Sequence, residues 1–246
     1  MRNYHRFNYD SYKEVINLRL DKFIADGASL TRKEAREKIK KGLVAVEKKT
    51  VRDISFQVNE ESSITLNNEK IKFVKYIYIM LNKPAGFVSA TEDKNKSTVM
   101  DLIDPKFKRY DLFPVGRLDI DTEGFLLLTN NGELAHNILS PNKKVGKTYF
   151  VRLENDISDE DIKKLEDGVD IGDIITKKSI VERITKNEIN LTITEGKFHQ
   201  IKRMAHAVDN NVVYLKRLSY GGLFLDETLE KGAYKLLDEE EIIQKL

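Results

Sequence analysis

The spacing of hydrophobic positions is helical at the start of the chain that follows Leu18. Leu20, Phe23 and Ile24 stand at positions i, i+3 and i+4, which is the spacing of one helix face. Gly27 supplies a stop signal for this segment. The pattern therefore predicts a short amphipathic helix that ends near Gly27.

A second helix is predicted after Thr31. Thr31 and Glu34 have the spacing of a capping box, and Gly42 stands where a left-handed C-terminal cap is expected. Ala35 and Ile39 share the face that would turn toward a core.

The same helix carries a basic stripe. Arg32, Arg36 and Lys40 recur every four residues, so they share a helix face beside the apolar one. A stripe of this kind fits either an ordinary solvated face or a surface that binds nucleic acid. Residues 1–75 contain 17 Lys and Arg against 11 Asp and Glu, whereas the remainder contains 25 against 29. This asymmetry places the basic part of the chain at its front, but on the residues alone the solvated face stays the favoured interpretation.

The rest of the chain alternates short strands with a few helices and follows no strict βαβ order. Small strands are predicted at residues 43–46, 54–58, 63–66, 77–81, 112–118, 125–129, 148–153, 178–184, 188–194 and 212–218. Helices are predicted at residues 98–103, 132–139, 158–167 and 198–208, with Ser158 as an N-cap. The predicted fold class is α+β, with a small N-terminal domain before a larger one on a mixed, mainly antiparallel sheet with flanking helices. The predicted boundaries are an extension at 1–15, a small domain at 16–72 and a large domain at 77–246.

Composition narrows the possible classes of protein. The chain has 246 residues, of which 40% are hydrophobic and 33% charged, as in globular proteins. No apolar run approaches the roughly 20 residues of a membrane span. The absence of cysteine excludes disulfides and thiolate metal sites. We expect a cytoplasmic monomer without a metal ion.

Acidic residues interrupt the apolar segment from Leu112 to Gly132. Asp119 directly follows Leu118, so its carboxylate is expected at the edge of the sheet, partly removed from water. On the residues alone, an acidic hairpin loop with Gly124 at its turn is the competing interpretation.

Residues of the small domain resemble a known RNA-binding module. The strings LRLDKFIADG and TRKEAREKIKKG are similar to the domain shared with ribosomal protein S-four. The resemblance implies that Arg32, Arg36 and Lys40 contact RNA. The chain departs from that family at Glu47 to Thr50, where an Asn-Gly turn is usual.

Four strings of the large domain, in order, resemble pseudouridine synthases of the RsuA branch. They are KPAGFVS at Lys83 to Ser89, GRLDIDTEGFLLLT at Gly116 to Thr129, KTYFV at Lys147 to Val151 and EGKFHQIKRM at Glu195 to Met204. The resemblance implies that Asp119 is the catalytic carboxylate and that Tyr149 packs against the target base. It also implies that Lys202, or alternatively Arg203, pairs with Asp119. The further substrate contacts expected are Arg117, Arg203 and Lys147.

The implied reaction converts a uridine of ribosomal RNA into pseudouridine. It involves no net redox change, so no cofactor is expected, and Asp119 acts either as nucleophile or as base. The final string is closer to the enzymes of small-subunit (16S) RNA than to those of large-subunit (23S) RNA. Two other classes stay open: a non-catalytic RNA-binding or ribosome assembly factor, and a glycoside hydrolase that uses Asp119 and Asp121.

Overall fold

The computed structural model describes residues 17–28, 30–140 and 143–246. The chain divides into two compact units between Lys75 and Tyr76, and the boundary predicted from the sequence lies between residues 72 and 77. The predicted extension at 1–15 lies outside the described residues. No helix in the described ranges is both long enough and apolar enough to cross a bilayer.

The N-terminal unit packs two helices against short strands. Its elements are β1 (Leu18–Arg19), α1 (Leu20–Gly27), α2 (Arg32–Lys40), β2 (Val44–Val46), β3 (Lys49–Thr50), β4 (Gln57–Val58), β5 (Ile64–Leu66) and β6 (Glu69–Ile71). The sheet order is β3-β2-β5-β6, while β1 pairs with β4. Phe23, Ile24, Ala35 and Ile39 are fully buried, so the helix faces predicted from the spacing form the core.

Local signals set the ends of α2 and the turn after β2. Thr31 Oγ1 accepts from the Glu34 amide while the Glu34 carboxylate accepts from the Thr31 amide, and this capping box begins the helix as predicted. Gly42 has a φ of 75°, which confirms the left-handed cap. The β2–β3 turn forms without Asn-Gly, because Glu47 and Lys48 both adopt positive φ. The Glu47 carboxylate also accepts from the Ser63 amide at 2.8 Å.

The second unit is built on one nine-stranded sheet. Its elements are β7 (Tyr78–Lys83), β8 (Phe113–Pro114), β9 (Glu123–Thr129), α3 (Gly132–Leu139), β10 (Lys147–Leu153), α4 (Asp159–Asp167), β11 (Ile180–Arg183), β12 (Glu188–Ile193), α5 (Gln200–His206), β13 (Val212–Tyr220), β14 (Leu223–Phe224), β15 (Tyr234–Leu236) and α6 (Glu239–Lys245), with 3-10 turns at Val99–Leu102 and Pro105–Tyr110. The order is β11-β12-β10-β13-β9-β7-β15, with β14 beside β13 and β8 beside β9. Among the strands of this sheet in the described residues, only β9 and β13 pair in parallel, so the predicted mixed, mainly antiparallel sheet is confirmed.

Several predicted elements are shorter than expected. The strand predicted at 112–118 is reduced to β8, and residues 115–122 form an irregular loop. The helix predicted at 98–103 is a 3-10 turn. The helix predicted at 198–208 begins only at Gln200, because His199 has a φ of 49°. Of the strand predicted at 54–58, only the last two residues form a strand, β4.

Gly124 lies inside β9, so the alternative of a hairpin turn at this glycine is wrong. It pairs with Arg217 in the parallel ladder between β9 and β13. A Cβ at this position would stand 2.3 Å from the Arg217 carbonyl oxygen and 2.8 Å from its nitrogen. Its φ of 98° is also one that side-chain-bearing residues rarely adopt. The glycine is therefore what lets the two strands approach.

We predict that Gly124→Ala lowers the free energy of unfolding by about 2 to 4 kcal/mol, because strain at positive φ adds to a backbone collision. Gly132→Ala is the matched control, since a Cβ there meets no atom within 4 Å. This control should change the free energy by less than about 1 kcal/mol. Urea denaturation, monitored by circular dichroism, measures the free energy of unfolding of both variants. Equal midpoints for the two would contradict the role given to Gly124.

Candidate active site

A buried lysine holds the loop at residues 115–122. Lys83, at the end of β7, has no exposed surface. Its ammonium donates to the carbonyl oxygens of Asp119 at 3.1 Å, Ile120 at 3.2 Å and Thr122 at 2.8 Å, and also to its neighbour Pro84. Burial lowers the pKa of Lys83 to about 8, although nearby carboxylates oppose the shift. The backbone from Asp119 to Thr122 is thus held by one charged group.

The segment after Lys83 fixes the same loop from a second direction. The Gly86 amide donates to the Ile120 carbonyl at 2.7 Å, with Gly86 at a φ of 92°. Ser89 Oγ donates to the Leu118 carbonyl at 3.0 Å and accepts from the Leu118 amide at 3.1 Å. The string at Lys83 to Ser89 therefore acts as a clamp on the loop that carries Asp119.

Helix α5 brings a cation to Asp119. Lys202 Nζ lies 3.3 Å from Asp119 Oδ2 and within 2.8 Å of both carboxylate oxygens of Asp121. Burial acts to lower the pKa of Lys202, but the hydrogen bond to Asp121 and the charge of Asp119 raise it above its usual value. Burial acts to raise the pKa of Asp121, but the hydrogen bond and the charge of Lys202 lower it overall. Lys202 is thus an ammonium group that both carboxylates share.

Arg203, the alternative partner of Asp119, points elsewhere. Its guanidinium binds the Asp173 carboxylate and the Ile171 carbonyl. Of the two basic residues predicted from the sequence, the structure brings Lys202 to Asp119 and not Arg203. His199 Nε2 is the second basic group near the carboxylate, 3.7 Å from Asp119 Oδ1.

One cavity contains the residues that the sequence analysis assigned to chemistry. Asp119, Tyr149 and Lys202 all line it, and Arg117 lies at the same cavity with an exposed side chain. The Asp119 side chain is 28% exposed, so it is accessible to a ligand. Tyr149, on β10, is buried. Lys147, two residues before it, is also buried and lines a neighbouring cavity.

The loop before α5 presents two aromatic rings. Phe198 and His199 stack with ring centroids 3.8 Å apart, and Phe198 is 75% exposed. Buried Gln200 shapes this loop, because its amide group accepts from the Lys197 amide and donates to Glu195. The left-handed backbone at His199 is strain of the kind that concentrates at functional sites.

A separate charged cluster lies in the N-terminal unit. Asp21 of α1 has no exposed surface, yet its carboxylate binds Arg19 at 3.2 Å, Arg32 at 2.9 Å and Arg36 at 2.8 Å. The three guanidinium side chains remain 42% to 47% exposed. Burial acts to raise the pKa of Asp21, but its arginine partners lower it overall. Two residues of the predicted stripe are thus oriented by a carboxylate, while Lys40 is oriented by no such contact among the described residues.

Four residues of these sites were not predicted from the sequence. Lys83 and Asp21 are buried charges whose partners are known only once the chain is folded. Asp121 was considered only as half of a carboxylate pair, and Phe198 was not singled out. A fully buried lysine or aspartate is rare without a partner, but sequence does not report burial.

Two family models match this sequence. A model described as RNA pseudouridylate synthase matches residues 77–207, and one described as S4 domain matches residues 18–64. Among relatives, the uncharacterized RNA pseudouridine synthase YtzG of Bacillus subtilis (strain 168) is 49% identical over 92% of this chain and 97% of its own length. Ribosomal small subunit pseudouridine synthase A of Escherichia coli (strain K12) is 39% identical, with coverage of 92% and 98%. A crystal structure of a pseudouridylate synthase, 36% identical, superposes with a TM-score of 0.65 over 93% of this chain and 99% of that one.

We predict that Lys83→Met releases the loop at residues 115–122. The carbonyl groups of Asp119, Ile120 and Thr122 would lose their shared hydrogen-bond donor. A carbonyl group that is removed from water and has no donor costs free energy. Amide hydrogen exchange at Gly86 and Leu118, whose bonds depend on the loop backbone, should accelerate by at least about tenfold. Lys94→Met is the control, because Lys94 is an exposed lysine of the neighbouring loop. Unchanged protection in Lys83→Met would contradict the clamp.

Proposed function

Because this chain belongs to the RNA pseudouridylate synthase family, we propose that it converts a specific uridine of small-subunit (16S) ribosomal RNA into pseudouridine. The observation that carries the proposal is the ion pair of Asp119 with Lys202 in one cavity with Tyr149. The small-subunit assignment is supported by the 39% identity to the Escherichia coli relative over nearly both full chains. We propose that the protein acts as a cytoplasmic monomer without a cofactor.

The isomerisation divides into steps that the cavity residues suit. The bond between sugar C1′ and base N1 breaks, the uracil turns, and a bond from C1′ to C5 forms. The proton on C5 is then lost and N1 gains one, so atoms balance without a redox partner. Asp119 attacks the sugar as a nucleophile or removes a proton from it as a base. Lys202, 3.3 Å away, holds the carboxylate in position for either route.

Access to the sugar requires the uridine to leave its stack. Tyr149 lines the Asp119 cavity and supplies a flat surface for an extruded uracil. Arg117, exposed beside the cavity, is suited to bind a phosphate or to fill the space that the base leaves. Phe198 is exposed near the same carboxylate, in the groove that Asp119 also lines, where an unpaired neighbouring base can stack on it.

The N-terminal unit supplies a surface for the RNA backbone. Arg19, Arg32 and Arg36 form a group of half-exposed guanidinium side chains around one buried carboxylate. Such an array binds phosphates with a preset geometry, since its partner Asp21 limits the positions that the arginines adopt. Lys40 extends the surface along α2.

Asp119→Asn tests the proposed reaction. We predict that this variant folds but loses at least about 1,000-fold of the activity, because an amide can neither attack the sugar nor accept its proton. Tritium release from a 16S RNA transcript labelled at uridine C5 measures the rate. Asp121→Asn, which removes the neighbouring carboxylate from Lys202, should lose less than about tenfold.

Several outcomes would replace the proposal by a competing one. Tritium release by Asp119→Asn at the wild-type rate would exclude Asp119 as the catalytic group. Tight RNA binding without turnover by the wild-type protein would favour a binding or assembly factor. Release from 23S but not 16S transcripts would move the substrate to the large subunit, and hydrolysis of a saccharide would favour a glycoside hydrolase.

The arginine array makes a separate prediction for RNA affinity. Asp21→Asn adds one positive charge, yet we predict binding weaker by about threefold to tenfold, because the guanidinium groups lose their common anchor. Glu37→Gln adds the same charge on exposed α2 surface and should leave affinity equal or slightly higher. Filter binding to the 16S transcript compares the two variants. Tighter binding by Asp21→Asn would show that charge rather than position determines affinity.

A further inference from the structure

A second cavity adjoins the one that contains Asp119. It is lined by Lys147 of β10 and by Arg217 and Tyr220 of β13, together with exposed Arg117, Lys177 and Lys197; we call it the cation cavity. Arg117, Tyr149 and Lys197 line both cavities, so the two are neighbours.

Strand register places the three buried residues together. Lys147 stands opposite Tyr220, and Tyr149 stands opposite Arg217, in the antiparallel pair of β10 and β13. A register shift between Thr148 and Tyr149 places one extra residue in β13, so that Arg217, three positions before Tyr220, lies beside the Tyr220 ring. The Lys147 ammonium and the Arg217 guanidinium each lie 5.1 Å from the Tyr220 ring centre.

The cavity contains two buried cations that are in contact with no carboxylate among the described residues. Arg217 is 1% exposed and Lys147 is 8% exposed, and neither forms an ion pair within the described part of the chain. Burial, with a smaller contribution from Arg217, lowers the pKa of Lys147 to about 8, although the charge of Glu195 opposes the shift. A pair of like charges held out of water is unfavourable unless an anion joins them.

Two hydrogen-bonding groups of the cavity are also unused. Arg217 Nε donates to the Phe125 carbonyl at 2.7 Å, but its Nη2 has no partner among the described residues, and neither has Tyr220 Oη. Among the described residues, Glu195 is the one carboxylate that lines the cavity, and its Oε1 already accepts from the Lys177 amide and from Gln200. Buried donors of this kind are rare without a function.

We propose that the cation cavity binds a phosphate group of the RNA backbone next to the target uridine. The inference rests on the proposed function and extends it by assigning Arg217 and Tyr220, with Lys147, to substrate binding. A phosphate supplies the negative charge that two buried cations require and the acceptor oxygens that Arg217 Nη2 and Tyr220 Oη lack. A neutral uracil would supply acceptors but no charge.

The location also fits a neighbouring phosphate. A nucleotide whose base enters the Asp119 cavity carries phosphates on both sides of its sugar, and the cation cavity lies directly beside that position. Binding there would use affinity for the backbone to hold the sugar near Asp119, as enzymes use binding of non-reacting groups.

Phosphate binding by the full chain is the first test. Thermal unfolding is followed while inorganic phosphate replaces chloride at equal ionic strength, so general salt effects apply equally to all variants. We expect saturable stabilisation of the wild type, with affinity at least about tenfold lower in Lys147→Met and about threefold lower in Tyr220→Phe. Lys178→Met, an exposed lysine outside the cavity, should stay within about twofold of wild type. Tyr220→Phe removes the hydroxyl group but keeps the packing of the ring, so it provides the test if Lys147→Met does not fold.

RNA binding is the second test and distinguishes a backbone phosphate from free phosphate. The logarithm of affinity for the 16S transcript falls with the logarithm of salt concentration, and loss of one phosphate contact reduces that slope by about 0.7 to 0.9. We expect this reduction in Lys147→Met and not in Lys178→Met. Absence of saturable phosphate binding, equal phosphate affinity in Lys147→Met, or an unchanged salt slope would each overturn the proposal. The proposed function is tested separately, because its failure would appear as the absence of tritium release by the wild-type protein.

Discussion

The ammonium group of Lys83 is the constraint on which the candidate active site depends. The loop that carries Asp119 has no regular secondary structure, so its carbonyl groups find no partners in a helix or ladder. Three of them, from Asp119, Ile120 and Thr122, converge on one fully buried ammonium instead. Burial lowers the pKa of Lys83 only to about 8, so at neutral pH the group keeps the three protons it donates. Fixing the backbone here fixes where the Asp119 carboxylate meets Lys202.

The sheet imposes the complementary constraint. The loop leads directly into β9, and Gly124 allows β9 to lie against Arg217 of β13 at a separation that no side chain would permit. The same short string thus contains the carboxylate and the glycine that brings its strand to β13. Because β13 also pairs with β10, which carries Tyr149, the approach of β9 determines how the acid and the aromatic residue come to line one cavity.

Local signals made much of the fold predictable. The helix at residues 132–139 and the Ser158 cap were predicted as observed, because spacing and capping act within a few residues. Features that depend on contacts between distant parts of the chain were not predictable from the sequence. The clamp by Lys83 joins residues 36 to 39 positions apart, and the register shift beside Arg217 has no local marker. The motif resemblance gave Asp119, Tyr149 and Lys202 as site residues, but the choice between Lys202 and Arg203 needed the position of α5, which turns Arg203 toward Asp173.

The charge clusters around Asp21 and around Asp119 have opposite arrangements, and the arrangement indicates which ligand each can meet. In the N-terminal unit the carboxylate of Asp21 is fully buried and the arginines around it are exposed, so an incoming group meets positive charge. At the candidate active site Asp119 itself is partly exposed, and its cation Lys202 supports it from α5. A ligand there meets a carboxylate with fixed orientation. The first arrangement suits a polyanion and the second suits the sugar of a nucleotide, because phosphates are attracted to the exposed arginines and not to the carboxylate of Asp119.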